Sequence, residues 1–262
     1  MTNIRHPSVA GLFYPAEPEE LKQAVLGFLS AAEPHKGAPP KAIVAPHAGY
    51  VYSGPVAGSA YAELAGRAST VKRVLLLGPS HRVPFEGLAF SAADSFLTPL
   101  GPVPVDHSAF ELVRDLTQAR QYEAPFEGEH CLEVQLPFLQ LVLDDFRIVP
   151  FLVGDAEAEE VAEVLERLWG GDETLIVISS DLSHYLDYES ARRIDTRTSQ
   201  AIEALRPEAV GYHQACGRNP LNGLLREAQR HGLHARTLDL RSSGDTAGPR
   251  TQVVGYGAYA FA

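Results

Sequence analysis

The chain has 262 residues, 45% hydrophobic and 21% charged, with 22 Lys and Arg against 33 Asp and Glu for a formal net charge of −11. That length buries roughly 70–75% of the unfolded surface in one core, so no crosslink is required, and two cysteines make no disulfide framework. Negative charge without a basic cluster argues against nucleic acid and anionic membranes as partners, and no run approaches the ~18 apolar residues of a span or resembles a secretory leader, so a soluble, cytoplasmic protein is expected.

In chain order, an amphipathic segment, "EPEELKQAVLGFLS", is followed by the linker-like "AAEPHKGAPP" (31–40). Residues 1–40 read as an arm and helix packing on a single domain that spans 1–262. Short apolar, β-rich runs come next: "KAIVAP" (41–46), "VKRVLLLGPS" (71–80), "EGLAFS" (86–91), "FRIVPFLVG" (146–154), "TLIVISSD" (174–181), "ARTLDLRSS" and "VVGYGAYAF". Helical patterns separate most of them: "PVAGSAYAELAG", "SAFELVRDLTQ", "CLEVQLPFLQLVL", "AEEVAEVLERLW" and "ESARRIDTRTSQAIEAL". The alternation, with strands apolar throughout, predicts a three-layer α/β domain whose mostly parallel central sheet is covered by helices on both faces.

Ligands in such sheets bind beyond the carboxyl ends of the strands. His47 follows "IVAP", His81 follows "LLLGPS", and Asp181 and His184 follow "LIVISS". A single histidine at a strand end is usually a hydrogen-bonded loop residue; three of them, each behind a turn of small residues, point to one shared polar site. Imidazoles with further N, O or S donors on converging loops suit a transition metal. Asp181, Glu133, Cys216 and Asp245 are the candidates for a third ligand.

Cys216 stands before "GRNP", which opens an amphipathic helix, and a helix N-terminus favours the thiolate. In "FEGEHCLEVQLPF" (126–138), His130 and Glu133 are three apart, on one face if a helix starts there, and either reach the site or serve as caps. Glu129 suits the same N-terminal turn as a negative charge, and Cys131 is expected in the core.

The motifs "APHAGYVYSG", "LLLGPSHRVP", "EHCLEVQLPF", "VISSDLSHY", "CGRNPL" and "SSGD" resemble, in order and spacing, those of the Memo family, whose bacterial and archaeal members are called AmmeMemoRadiSam system protein B. The resemblance runs from about residue 5 to the C-terminus. It implies the fold of class III extradiol dioxygenases and, carried over by motif, His47, His81 and Cys216 as metal ligands, with Asp181 and His184 lining the pocket and His130, Glu133 and Asp245 as possible neighbours. Fe(II) is the implied metal, with Cu or Zn as alternatives. A thiolate in place of the carboxylate of ring-cleaving relatives shifts preference toward Fe or Cu and puts catechol cleavage in doubt. His184 is the expected acid–base group, with Asp181 orienting it or a ligand.

Three functions follow from these residues: non-haem redox or dioxygenase-like chemistry on a small substrate, metal-dependent hydrolysis, or peptide and partner binding on a dioxygenase-like fold. The family name adds a functional link to a radical-SAM protein.

Overall fold

Apolar strands that alternate with amphipathic helices bury both by stacking in layers, and this chain does so. The computed structural model describes residues 3–34 and 37–262; His35 and Lys36, inside the linker-like stretch, lie outside the described residues. The arm contributes β1 (Ile4–Arg5) and α1 (Pro18–Ala31). Then follow β2 (Ala42–Ala45), α2 (Tyr50–Ala62), β3 (Arg73–Pro79), β4 (Leu88–Phe90), β5 (Ser95–Thr98), β6 (Gly101–Pro104), α3 (His107–Phe110) and β7 (Ala119–Gln121). The second half holds α4 (Leu136–Val142), β8 (Arg147–Val153), α5 (Ala158–Leu168), β9 (Thr174–Ser179), β10 (His184–Leu186), α6 (Tyr188–Glu203), α7 (Arg218–Arg230), β11 (Ala235–Ser242), α8 (Ser243–Thr246) and β12 (Val253–Phe261).

The main sheet orders its strands β10-β12-β2-β9-β3-β8-β4-β7, with β11 paired to β12. Its centre, β2-β9-β3-β8, is parallel and largely apolar; every residue of β2 and β9 is buried. The sheet is nevertheless mixed rather than mostly parallel, because β4 joins β8 antiparallel and β12 joins β2, β10 and β11 antiparallel. Between β11 and β12 only ten residues intervene, too few for the crossover helix that a parallel pair needs. A separate three-stranded sheet, β1-β5-β6, holds the arm; its Pro- and Gly-rich sequence, "SFLTPLGPVP", hid it from pattern reading.

Helices follow their apolar spacing. In α5 the buried Val161, Val164, Leu165 and Leu168 form one stripe, and Glu157 with Glu160 closes a capping box at its start. α5 packs on α7, which lies on β3 and β9, while α6 lies on β11 and β12. The other face carries α2, with α1 and α4 against it. α1 and α2 approach closely because α2 presents Gly54 and Gly58, where an added Cβ would meet the Phe28 ring at 2.4 Å and the Phe28 carbonyl oxygen at 2.7 Å.

Two predicted helices are shorter than their patterns. "SAFELVRDLTQ" makes only α3 and then turns whose amides bond three residues back, from Leu112 to Ala109 and from Leu116 to Val113. In "CLEVQLPFLQLVL" a 3₁₀ turn (Glu133–Gln135) precedes α4, where Pro137 fits the first turn. No helix among the described residues is long and apolar enough to cross a membrane.

Candidate metal centre

Three neighbouring parallel strands end at one place. β2 runs into Pro46-His47, β9 into Ser180-Asp181 and β3 into Ser80-His81, so the spacing of a β-sheet brings the loops together. The His47 and His81 rings meet edge to face with centroids 5.1 Å apart. Cys216, just before α7, comes in from the side: its Sγ is 3.2 Å from His47 Nε2 and accepts from the Asp181 amide at 3.3 Å. One donor atom from each of His47, His81 and Cys216 lies within 4.8 Å of the others.

Both imidazoles are held from behind. The Ser179 hydroxyl donates to the Cys131 carbonyl at 2.6 Å and accepts from Gln135 Nε2 at 2.8 Å. Its proton is thereby committed, and its 2.8 Å contact with His47 Nδ1 leaves the imidazole as donor. His47 therefore keeps a lone pair on Nε2, the atom facing Cys216. Burial, reinforced by the positive fields of His81 and His130, holds its pKa well below the usual value, so the ring is neutral. Gln135 is itself fixed: it accepts from Tyr61 and donates to the Pro46 carbonyl.

For His81 the backing group is Glu129, whose carboxylate accepts from His81 Nδ1 at 2.9 Å and from the amides of His81, His130 and Cys131. Burial alone would raise that carboxyl, but the hydrogen bonds and charge of His81 and the amides hold it well below the usual range. It is anionic and acts as a positioning group, leaving Nε2 of His81 to the site.

Asp181 is buried, and its Oδ1 accepts from the His47 amide at 2.8 Å. It orients the His47 loop; no hydrogen bond joins it to His184. Burial pushes its pKa up to about 7, partly offset by the amides of His47 and Ala48. At Cys216 the expectation of a low pKa fails. Burial, with the neighbouring Asp181 carboxyl, outweighs the helix terminus and pushes the thiol up, so a cation binding there would have to displace its proton.

His184 begins β10 and, with His81 and Cys216, lines a cavity of about 1020 Å³ walled by Val83, Pro84, Phe85, Leu186 and Ile194. Burial lowers its pKa, the Leu182 carbonyl opposing, so it presents a neutral imidazole. The next residue, Tyr185, is exposed and has φ +57°, an uncommon conformation for a side chain of this size.

His130 reaches the cluster: its ring stacks on His81 at 5.1 Å and meets His47 edge to face at 5.6 Å. Glu133 does not. No helix begins at residue 130, and its carboxylate faces the arm, accepting from the Ser8 and Val9 amides and, at 2.6 Å, from Tyr14 Oη. Asp245 is also elsewhere, capping α8 through Ser242 and accepting from Tyr188. Cys131 is buried as expected, its Sγ 3.2 Å from the Pro79 carbonyl.

Ser179 and Gln135 went unrecognised in the sequence, since a hydroxyl and an amide inside apolar runs carry no chemical signature. Glu129 was read only as a helix-terminus charge. Its place beside His130 in "GEHC" was the available signal, because a ligating histidine commonly donates to a carboxylate.

The family model described as "Memo-like protein" matches residues 5–260. Similar chains include a "MEMO1 family protein" of Archaeoglobus fulgidus, 36% identical over 271 residues and covering 98% of this chain and 99% of its own. Those of Aquifex aeolicus, 37% identical (97% of each chain), and Aeropyrum pernix, 39% identical (97% and 98%), carry the same description. With the match running almost from end to end on a three-layer α/β fold, the chain belongs to the Memo-like protein family.

Proposed function

We propose that this protein holds one transition metal, iron in first place, on His47, His81 and Cys216, and performs redox or dioxygenase-like chemistry on a small organic substrate in the adjoining cavity. The observation that carries the reading is the donor set itself. Two imidazoles whose Nδ1 atoms are committed to Ser179 and Glu129 leave Nε2 as the free ring nitrogen of each, and one donor atom from each of His47, His81 and Cys216 lies within 4.8 Å of the others. Nitrogen and sulfur donors suit Fe, Cu or Zn and are poor ligands for Mg or Ca. Iron bound there would supply one-electron and oxygen chemistry.

The chain's own contributions are distinct. Ser179 and Glu129 fix the rings; Asp181 fixes the His47 backbone. Val83, Pro84, Phe85, Leu186 and Ile194 give an organic substrate an apolar wall. His184, neutral and on the same cavity, accepts a proton from a substrate hydroxyl or returns it.

Anaerobic purification with metal analysis tests the proposal. Wild type should carry close to one metal per chain, and His47→Ala and Cys216→Ala should lose most of it; full stoichiometry in both variants overturns the assignment. His184→Ala should keep the metal and slow turnover by roughly 10²–10⁴-fold, as expected for a lost acid–base group.

A further inference from the structure

The cavity beside the metal centre has one charge with no use in the account so far. Arg218 lines it, and its guanidinium lies over the exposed Tyr212 ring, 5.4 Å from the centroid. Among the described residues no carboxylate pairs with it. Several arginines elsewhere do pair with carboxylates, Arg73 with Asp106, Arg230 with Glu227, Arg236 with Glu63 and Arg241 with Asp239. Arg218 is also the first residue of α7, where a cation opposes the helix dipole and acidic residues are the favoured choice. α1, α5 and α6 carry an acidic residue in that turn, whereas α2, α4 and α7 have none. An arginine that costs the helix stability, lacks an ion-pair partner and faces a large cavity is placed for something that enters the cavity.

The rest of the lining says what that is. Val83, Pro84, Phe85, Leu186 and Ile194 offer an apolar wall. The cavity's acidic residues, Glu86 and Asp155, also line a neighbouring cavity of about 580 Å³, whereas Arg218 lines only the first. Among the described residues Arg218 is the single lysine or arginine that lines the cavity of the histidines. We infer that the substrate is an amphipathic organic anion, its carboxylate, phosphate or sulfonate group held by Arg218 and its apolar body lying along Phe85 and Ile194 toward His81, Cys216 and His184. This rests on the reading of the cavity as the substrate site, and it makes Arg218 the residue that sets substrate charge.

The test uses two dyes that share one ring system, anilinonaphthalene sulfonate and its uncharged counterpart phenylnaphthylamine, titrated by fluorescence into metal-free full-length protein. Losing a charged hydrogen bond costs on the order of tenfold in affinity. Arg218→Gln should weaken the sulfonate by about that factor and leave the uncharged dye alone, and Arg218→Lys should recover part of the loss. Equal sulfonate binding by wild type and Arg218→Gln overturns the inference, as does an equal loss of both dyes. If Arg218→Gln does not fold, the comparison of Arg218→Met with wild type decides by the same two criteria. Metal analysis of the same samples separates the two readings. Full metal with charge-blind dye binding sinks only the substrate class; a wild type that takes up no metal yet shows the arginine-dependent preference sinks only the metal assignment. Chasing the sulfonate with benzoate and with phenyl phosphate, at matched ionic strength, distinguishes a carboxylate from a phosphate as the preferred group.

Discussion

Ser179 Oγ stands 2.8 Å from His47 Nδ1 and, having given its own proton to the Cys131 carbonyl, receives the imidazole's. A hydroxyl at the last residue of a buried strand thus selects the tautomer of the histidine on the neighbouring strand's loop.

Ser179→Ala, which also strips the Cys131 carbonyl and a Gln135 proton of their partner, should lose roughly 2–4 kcal/mol of stability and bind metal about 10–100-fold more weakly per folded chain, the usual cost of removing a group that orients a ligating histidine. Competition against a chelator of known affinity measures it. Wild-type affinity in the variant would mean that the tautomer is set by something else.

Glu133 is an anchor for the arm, and its removal should be felt in stability rather than in metal content. Glu133→Ala orphans two amides and the Tyr14 hydroxyl against a buried pocket, a cost of roughly 3–5 kcal/mol. Denaturant unfolding should show a loss of that order while the metal per folded chain stays at the wild-type level. A variant of wild-type stability that has lost its metal would move Glu133 back into the site.

The two thiols differ in access. Cys216 opens on the cavity whereas Cys131 is fully buried, so a maleimide added to the metal-free protein should modify Cys216 first and reach Cys131 only on unfolding. Peptide mapping of the singly labelled product reads the result, and label on Cys131 in the native protein would contradict the placement of both.

Asp195 gives a pH dependence away from the proposed metal site. It lies buried on α6 beneath β12, accepts from the Ser183 amide, and burial pushes its pKa up to about 6. The unfolded value is near 3.9, so between these limits the native state binds the extra proton, and stability falls as pH rises. Its contribution is fully present below about pH 4 and is lost by about pH 6, an amount of up to about 3 kcal/mol. Asp195→Asn, which keeps an acceptor for Ser183, should flatten the wild-type slope of unfolding free energy across that range; parallel slopes for the two proteins would refute it.

The pattern of the sequence reveals the parts of this molecule that depend on neighbours close in the chain. The runs that end in His47, His81 and Asp181 are apolar because each strand is covered on both faces, and the polar residue that ends each run marks the sheet edge. Cys216 was found as a helix-terminal residue, but not the direction of its pKa shift, because the opposing terms come from Asp181 and from burial under residues distant in sequence. His130 and Glu133 could not be separated by spacing alone: helical geometry would have put them together, whereas the irregular turn that forms sends one to the site and the other to the arm. The β1-β5-β6 sheet and β10 were missed for a related reason. Short strands paired across many residues carry no apolar run of their own, and their existence is decided by the partner.

The centre also has a history in time. His47 and Cys216, which touch in the folded chain, are 169 positions apart, and at ordinary rates of protein synthesis the first waits roughly ten to thirty seconds for the second to be made. β12, which pairs with β2, is made later than Cys216. The three-donor cluster is thus available only once residue 216 has been made, and a chain cut before it lacks the sulfur donor.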